Sequence, residues 1–253
     1  MASLAPEVLT TVGSFPITNT VISTLIVDSV IIGSVVALNK NLKRIPGMFQ
    51  NIFESLIDGL YGFTEQIAGQ NAAKIFPYFM SFFLFILVAN WMGLLPGVGT
   101  IGFFHGKGEE EFVPLLRNAT SDLNVTFALA VVSLVATHYL SISTIGLKEY
   151  LSRYFSLNPI FLFVGMLEII SEITKMISLS FRLFGNIYAG EKVLETISSI
   201  FAFIFPLPFM GLELIVGLVQ ALVFSVLTLA FMSILMTPHH SEKHDTAEEV
   251  IPA

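Results

Sequence analysis

The chain has 253 residues, 54% of them hydrophobic and 12% charged, with a mean hydropathy of +0.80; a soluble domain of this length carries about 25% charge, so the bilayer rather than water is the expected solvent. The net charge of −7 is concentrated in Glu109, Glu110, Glu111 and the tail from Glu242 to Glu249, and the absence of a basic footprint argues against a nucleic-acid partner. Cysteine is absent, which removes disulfide frameworks, thiolate nucleophiles and thiolate metal sites from consideration.

Met1 to Thr20 contains no Lys or Arg and so lacks the basic n-region of a cleavable signal peptide; the first hydrophobic helix is expected to remain as an anchor. That span is predicted over 21–38, interrupted by Asp28 and followed by Lys40, Lys43 and Arg44, a basic cluster that marks the cytoplasmic side. Over 46–71, Met48, Phe49, Ile52, Phe53, Leu56, Ile57 and Leu60 recur at helical spacing opposite Gln50, Asn51, Glu54, Ser55 and Asp58. This pattern predicts an amphipathic helix lying on the membrane surface.

Runs free of Asp, Glu, Lys and Arg extend from Phe76 to Phe104 and from Leu123 to Leu147, each longer than the roughly 20 residues a helix needs to cross the hydrocarbon core. A second span is predicted over 76–96, then an external loop, Gly97 to Asp122, and a third span over 123–147 that returns to Lys148 and Arg153 on the basic side. The sequons at Asn118 and Asn124 are read as incidental.

From Pro159 to Met236 the apolar pattern is interrupted by Glu168, Glu172, Lys175, Arg182, Glu191, Lys192, Glu195 and Glu213. Phe205-Pro-Leu-Pro208 is the strong breaker and divides the region into long helices over 159–204 and 209–236. The first would be about 65 Å long, twice the roughly 30 Å hydrocarbon thickness. It must therefore be tilted or broken, with Gly185 and Gly190 as candidate break points. In the polar tail, 237–253, His239, His240 and His244 are read as solvated rather than metal-binding. The expected fold is thus all-α and polytopic, one integral membrane domain of about five embedded helices plus a surface helix.

On a helical wheel Glu168, Glu172, Lys175, Leu179, Arg182 and Asn186 lie within an arc of about 80°. Packed ion pairs, such as Glu172 with Lys175, are the plain alternative to a chemical role. Arg182 weighs most, because a guanidinium stays charged and costs at least about 2.5–3.5 kcal/mol at the middle of a bilayer. No acid stands three or four residues from it, so its anion must come from another helix, another subunit, or a transient partner. On the last helix Glu213, Gly217, Gln220 and Phe224 share a face, and the small Gly217 would admit another helix or water. Glu191 and Glu213 are candidate proton-relay carboxylates. His138 and Asp28 are candidates for an entrance, against the simpler roles of a helix-to-helix hydrogen bond and an interfacial anchor.

Ser178-Leu-Ser-Phe-Arg-Leu-Phe-Gly-Asn-Ile187, continuing as Tyr188-Ala-Gly-Glu191, resembles the signature of the a subunit of F-type ATP synthases, bacterial type. Ile26-Val-Asp-Ser29, Asn90-Trp-Met-Gly-Leu-Leu-Pro96 and Asp122-Leu-Asn-Val-Thr126 extend the resemblance over nearly the whole chain. It implies a non-catalytic stator subunit of the bacterial inner membrane. Its implied partners are a ring of c subunits, the b-subunit peripheral stalk and other ATP synthase subunits, with H⁺ as the transported ion and Na⁺ as the other candidate. The resemblance equates Arg182 with the family's essential arginine, facing the ring carboxylate. Asn186, Glu191, Glu213 and Gln220 then resemble the external half-channel, and Glu168, with Glu172 and Lys175, the cytoplasmic one; Asp28, Asp122 and His138 are entrance candidates. No cofactor or metal is implied. The alternative is an independent ion-coupled secondary transporter, but no internal repeat of the kind such proteins show is visible. A phosphate-binding Gly-x-x-x-x-Gly-Lys-[Ser/Thr] loop is also missing from the sequence.

Overall fold

The structure, a computed structural model, describes residues 6–12, 15–40, 42–43, 47–95, 97–98, 101–105, 111–154, 159–200 and 205–237. His239, His240, His244, Arg44, Glu109 and Glu110 lie outside the described residues. The fold is all-α and polytopic. Its helices are α1 (Asn19–Lys40), α2 (Met48–Ala68), α3 (Ala72–Gly93), α4 (Leu123–Ile145), α5 (Leu147–Tyr154), α6 (Pro159–Ile200) and α7 (Pro206–Met236). Four stretches are long and apolar enough to cross a membrane by length and composition: Asn19–Lys40, Gln50–Gly93, Leu123–Ile145 and Pro206–Met236. α6 has 42 residues, about 63 Å at 1.5 Å per residue, but its charged residues dilute its hydropathy.

Two antiparallel hairpins that helical periodicity gave no reason to expect decorate the end opposite the basic loops. β1 (Val8–Val12) pairs with β2 (Phe15–Thr18), and β3 (Gly102–His105) with β4 (Glu111–Pro114). The second lies in the segment read as a plain external loop. Its register sets Phe103 opposite Val113, an aromatic and β-branched pair of the kind that stabilises short ladders.

Three helix boundaries have local causes. Between α2 and α3 the chain reverses at Gly69, whose φ of +52° suits glycine best. α4 starts behind Asp122, whose carboxylate accepts from the Asn124 backbone N–H at 2.9 Å, an N-cap worth about 1 kcal/mol. α7 starts at Pro206, three residues before the expected 209, because both prolines fit the first turn, where the N–H they lack has no helical partner. α6 runs unbroken through Gly185 and Gly190, so neither glycine breaks it.

The core falls into layers along the bundle. At the basic end Ala72, Ile75 and Phe79 of α3 pack on Leu229, Met232 and Met236 of α7. In the middle Phe82, Phe83 and Ile86 meet Leu183 and Ile187 of α6 and Phe224 of α7. Because lipid tails are as apolar as leucine, these layers hold the helices by close packing and by hydrogen bonds between them. Ser133 and Thr228 hydroxyls are 2.9 Å apart, Thr126 and Ser180 hydroxyls 3.2 Å, and Ser141 Oγ donates to the Leu235 carbonyl at 2.6 Å. Such bonds contribute about 0.6–2 kcal/mol each.

α2 is attached to the bundle by its C-terminal end. Its first turns leave Met48, Ile52, Phe53, Leu56 and Ile57 exposed, while in its last turn Thr64 and Ala68 are buried and Ala68 and Ile67 pack with α3 and α7. Ser233 Oγ of α7 donates to the Ile67 carbonyl at 3.0 Å and fixes that end.

Candidate functional site

α6 is the spine along which the predicted polar residues are strung, and the folded chain sorts them into three places. Near its start, at the basic end, Glu168 Oε1 lies 3.0 Å from Arg153 Nε of α5. One turn later the buried Glu172 accepts from the Tyr154 hydroxyl at 2.6 Å, and its second oxygen is 3.4 Å from His138 Nε2. Glu172 and Lys175 therefore do not form the ion pair that their spacing suggested. Lys175 Nζ sits instead over the ring of Phe231, 4.9 Å from its centroid, where the ring face attracts a cation.

About 15 Å farther along the axis, Arg182 stands on the open side of α6, exposed, beside the exposed Phe181 and Ile177. It borders a cleft of about 340 Å³ lined by Ser171, Thr174, Lys175, Ser178 and Phe231. Among the described residues Arg182 has no hydrogen bond or ion pair. Asn186, one turn on, is exposed on the same side.

The third place lies toward the far end of α6. Glu191 is set beside Ser121 and Asn118 of the short turn before α4, within the field of Arg117. Across from it the buried Glu213 of α7 lies in the field of Glu191 and presses against Gly190. One Glu213 oxygen is buried without a hydrogen-bond partner, an arrangement that a polar visitor such as water or a proton would relieve.

A further set of buried polar groups continues this patch. Asn90 Nδ2 donates to the Gly217 carbonyl at 2.9 Å, the Thr120 hydroxyl donates to Asn90 Oδ1 at 2.5 Å, and Trp91 Nε1 donates to the Leu214 carbonyl at 3.2 Å. Gln220, half-buried, is one turn beyond Gly217.

The entrance candidates separate. Asp122 is buried and occupied as the α4 cap, accepting from Asn124 twice. His138 belongs to the basic-end group around Glu172. Asp28 is half-buried on α1 and has no hydrogen bond or ion pair among the described residues. Sequence reasoning missed Tyr150 and Tyr154, which the short α5 brings to His138 and Glu172. It also missed Arg117, although Arg117 is the single basic residue between Glu111 and Asp122, a signal that could have singled it out.

The arrangement is two polar groups at opposite ends of a helix bundle, with a lone guanidinium between them on the lateral surface. The model of one protein family, described as the ATP synthase A chain, matches residues 19–233. That match takes in every helix but the end of α7, and with it all three polar places. The chain therefore belongs to the ATP synthase A chain family, and it is a multi-pass, proton-translocating component of that complex's membrane sector.

Proposed function

We propose that this chain is the stationary channel subunit against which a ring of c subunits turns, with Arg182 facing the carboxylate that each ring subunit presents. The observation that carries this reading is Arg182 itself, a fixed positive charge exposed on the open side of α6 with no acid partner from its own described residues. Left against lipid it costs at least about 2.5–3.5 kcal/mol, so an anion from outside the chain must cover it. A ring carboxylate passing Arg182 would be held ionised by the guanidinium. Protons then could not cross directly between the two ends and would have to ride the ring.

In this reading Glu191, Glu213, Asn186 and Gln220 form the external half-channel, and Glu168, Glu172 and Lys175 the cytoplasmic one. Their separation along α6 supports two offset paths, because Glu191 and Glu172 lie about 14 and 15 Å along the axis on opposite sides of Arg182. A helix of 42 residues must run obliquely in a membrane of roughly 30 Å, which would spread one face along the curved ring. The b-subunit stalk would hold the chain stationary, in a bacterial inner membrane, with H⁺ as the coupling ion. ATP formation would take place in other subunits.

The test is Arg182→Ala in vesicles carrying the whole complex. ATP synthesis and ATP-driven pumping should both vanish while the complex still assembles; coupled pumping at normal rates by an assembled variant would overturn the reading.

A further inference from the structure

The eight-residue helix α5 ties together three long helices at the basic end. Its Tyr150 hydroxyl lies 2.7 Å from His138 Nδ1 of α4, and its Tyr154 hydroxyl donates to Glu172 of α6. Arg153 pairs with Glu168 of α6 and reaches the Leu235 carbonyl of α7 at 3.4 Å. The Tyr154 carbonyl abuts Gly165 so closely that the backbone leaves no room for a Cβ there. The His138 imidazole is thus bracketed, one nitrogen against a phenol and the other 3.4 Å from Glu172 Oε2. An imidazole in that position can take a proton on one nitrogen and release another from the opposite one.

Exposure decreases along this line, from 24% for the His138 side chain to 11% for Glu172. Beyond Glu172 is a cavity of about 30 Å³, lined also by Ser133, Thr137 and Lys175, with room for a water. Lys175, Leu179 and Phe231 line both this cavity and the cleft at Arg182. Phenol, imidazole, carboxylate, a water-sized space and the Arg182 cleft follow one another from the basic end toward the middle of α6.

We propose that His138 is the proton-exchanging residue through which Glu172 communicates with water at the basic end, with Tyr150 and Tyr154 as positioning residues. The proposal rests on the reading of Arg182 given above. A proton from water binds Nδ1 as the Tyr150 hydroxyl turns its hydrogen away, and the imidazolium passes its Nε2 proton to Glu172. One O–H bond breaks in the hydronium ion that donates, leaving water, and one forms on Glu172. One N–H bond forms at Nδ1 and one breaks at Nε2, so a neutral imidazole with its hydrogen on Nδ1 remains beside a neutral carboxyl group. Exchange with water returns the hydrogen to Nε2 before the next transfer. The reverse order releases a proton to water. At 3.4 Å the donor and acceptor need to close by only a few tenths of an ångström to reach hydrogen-bond length. At the basic end, the ionisable groups on the elements that carry or pack against the imidazole are Tyr139 on α4, Lys148, Glu149, Tyr150, Arg153 and Tyr154 on α5, Glu168, Glu172 and Lys175 on α6, and Lys74 on α3. α7 adds none at this end, since Glu213 is the one Asp, Glu, Lys, Arg or His among residues 206–237.

The experiment measures ATP-driven proton uptake by inverted vesicles holding the intact complex, with medium pH varied on the basic side. His138→Gln should slow uptake at least about tenfold and flatten its dependence on medium pH. Added imidazole should restore uptake in His138→Gly. Wild-type rate and pH profile in His138→Gln, or a slow His138→Gly that imidazole leaves unchanged at normal subunit levels, would overturn the proposal. Should neither variant reach the membrane, Tyr150→Phe carries the test, with slowed uptake expected and wild-type uptake overturning it. Arg182→Ala run in parallel separates the two ideas: if it pumps normally the coupling reading fails, whereas if it is inactive and the His138 variants are normal only the relay fails.

Discussion

A methyl group added at Gly190 of α6 would sit 2.7 Å from Oε1 of Glu213 on α7. The glycine is therefore the space into which one carboxylate of the proposed external path extends, and the atom it meets is the free end of a side chain, which can move. Gly190→Ala should leave the complex assembled, at a cost of about 1–3 kcal/mol or less for overpacking, while moving Glu213 away from Glu191. The expected result is proton pumping slowed by about tenfold with ATP hydrolysis retained, read by dye quenching in vesicles; unchanged pumping would show that the contact has no functional weight.

Asp122 gives the opposite expectation. Its carboxylate caps α4 through the Asn124 N–H and side chain, so its burial is explained without any proton pathway. Asp122→Asn keeps an oxygen at the cap and should pump at nearly the wild-type rate, whereas Asp122→Ala should lower the thermal stability of the detergent-solubilised complex, with a cap loss of about 0.5–2 kcal/mol. Loss of pumping in an assembled Asp122→Asn complex would instead assign the carboxylate a transport role.

These two positions illustrate what sequence could and could not reveal. The helices were legible because their apolar runs are long, and Arg182 because no acid stands within a turn of it, a property that needs no tertiary information. Spacing leaves a Glu172–Lys175 ion pair open as an even alternative, but Tyr154 and His138 reach Glu172 from other elements, and an aromatic ring takes the lysine. Those partners depend on how the chain turns into and out of α5, an eight-residue helix too short for periodicity to announce. The hairpin β3–β4 escaped for a related reason, since its pairing joins residues on either side of a Gly- and Glu-rich stretch that reads as loop. Arg117 was overlooked beside Asn118, although together they frame Glu191.

The Arg153–Glu168 pair supports a charge-exchange prediction. Their side chains are 10% and 23% exposed, so the pair is shielded enough to matter more than a surface bridge, for which about 0–1 kcal/mol is typical. Arg153→Glu sets two acids against each other and should release α5 from α6, lowering assembled complex and pumping together. Combining it with Glu168→Arg should recover most of the loss, as assessed by subunit level in membranes and by melting of the solubilised complex. A double variant no better than the single one would mean that the pair does not anchor α5.

Arg182→Lys asks whether charge alone suffices at the centre of the molecule. Lysine keeps a positive charge in principle, but its ammonium is a compact point donor that loses its proton when desolvated, whereas the guanidinium stays ionised and offers a planar fork matched to a carboxylate. On the open side of α6 that borders the Arg182 cleft, a docking partner would strip water from whichever cation stands at 182. A lysine could then pass its proton to the arriving carboxylate, leaving two neutral groups and no barrier between the two polar ends. The expected outcome is loss of ATP synthesis with a measurable passive proton leak in vesicles stripped of the catalytic subunits. Wild-type synthesis in an assembled Arg182→Lys complex would show that the fork geometry is dispensable and that a positive charge of either kind sustains the coupling.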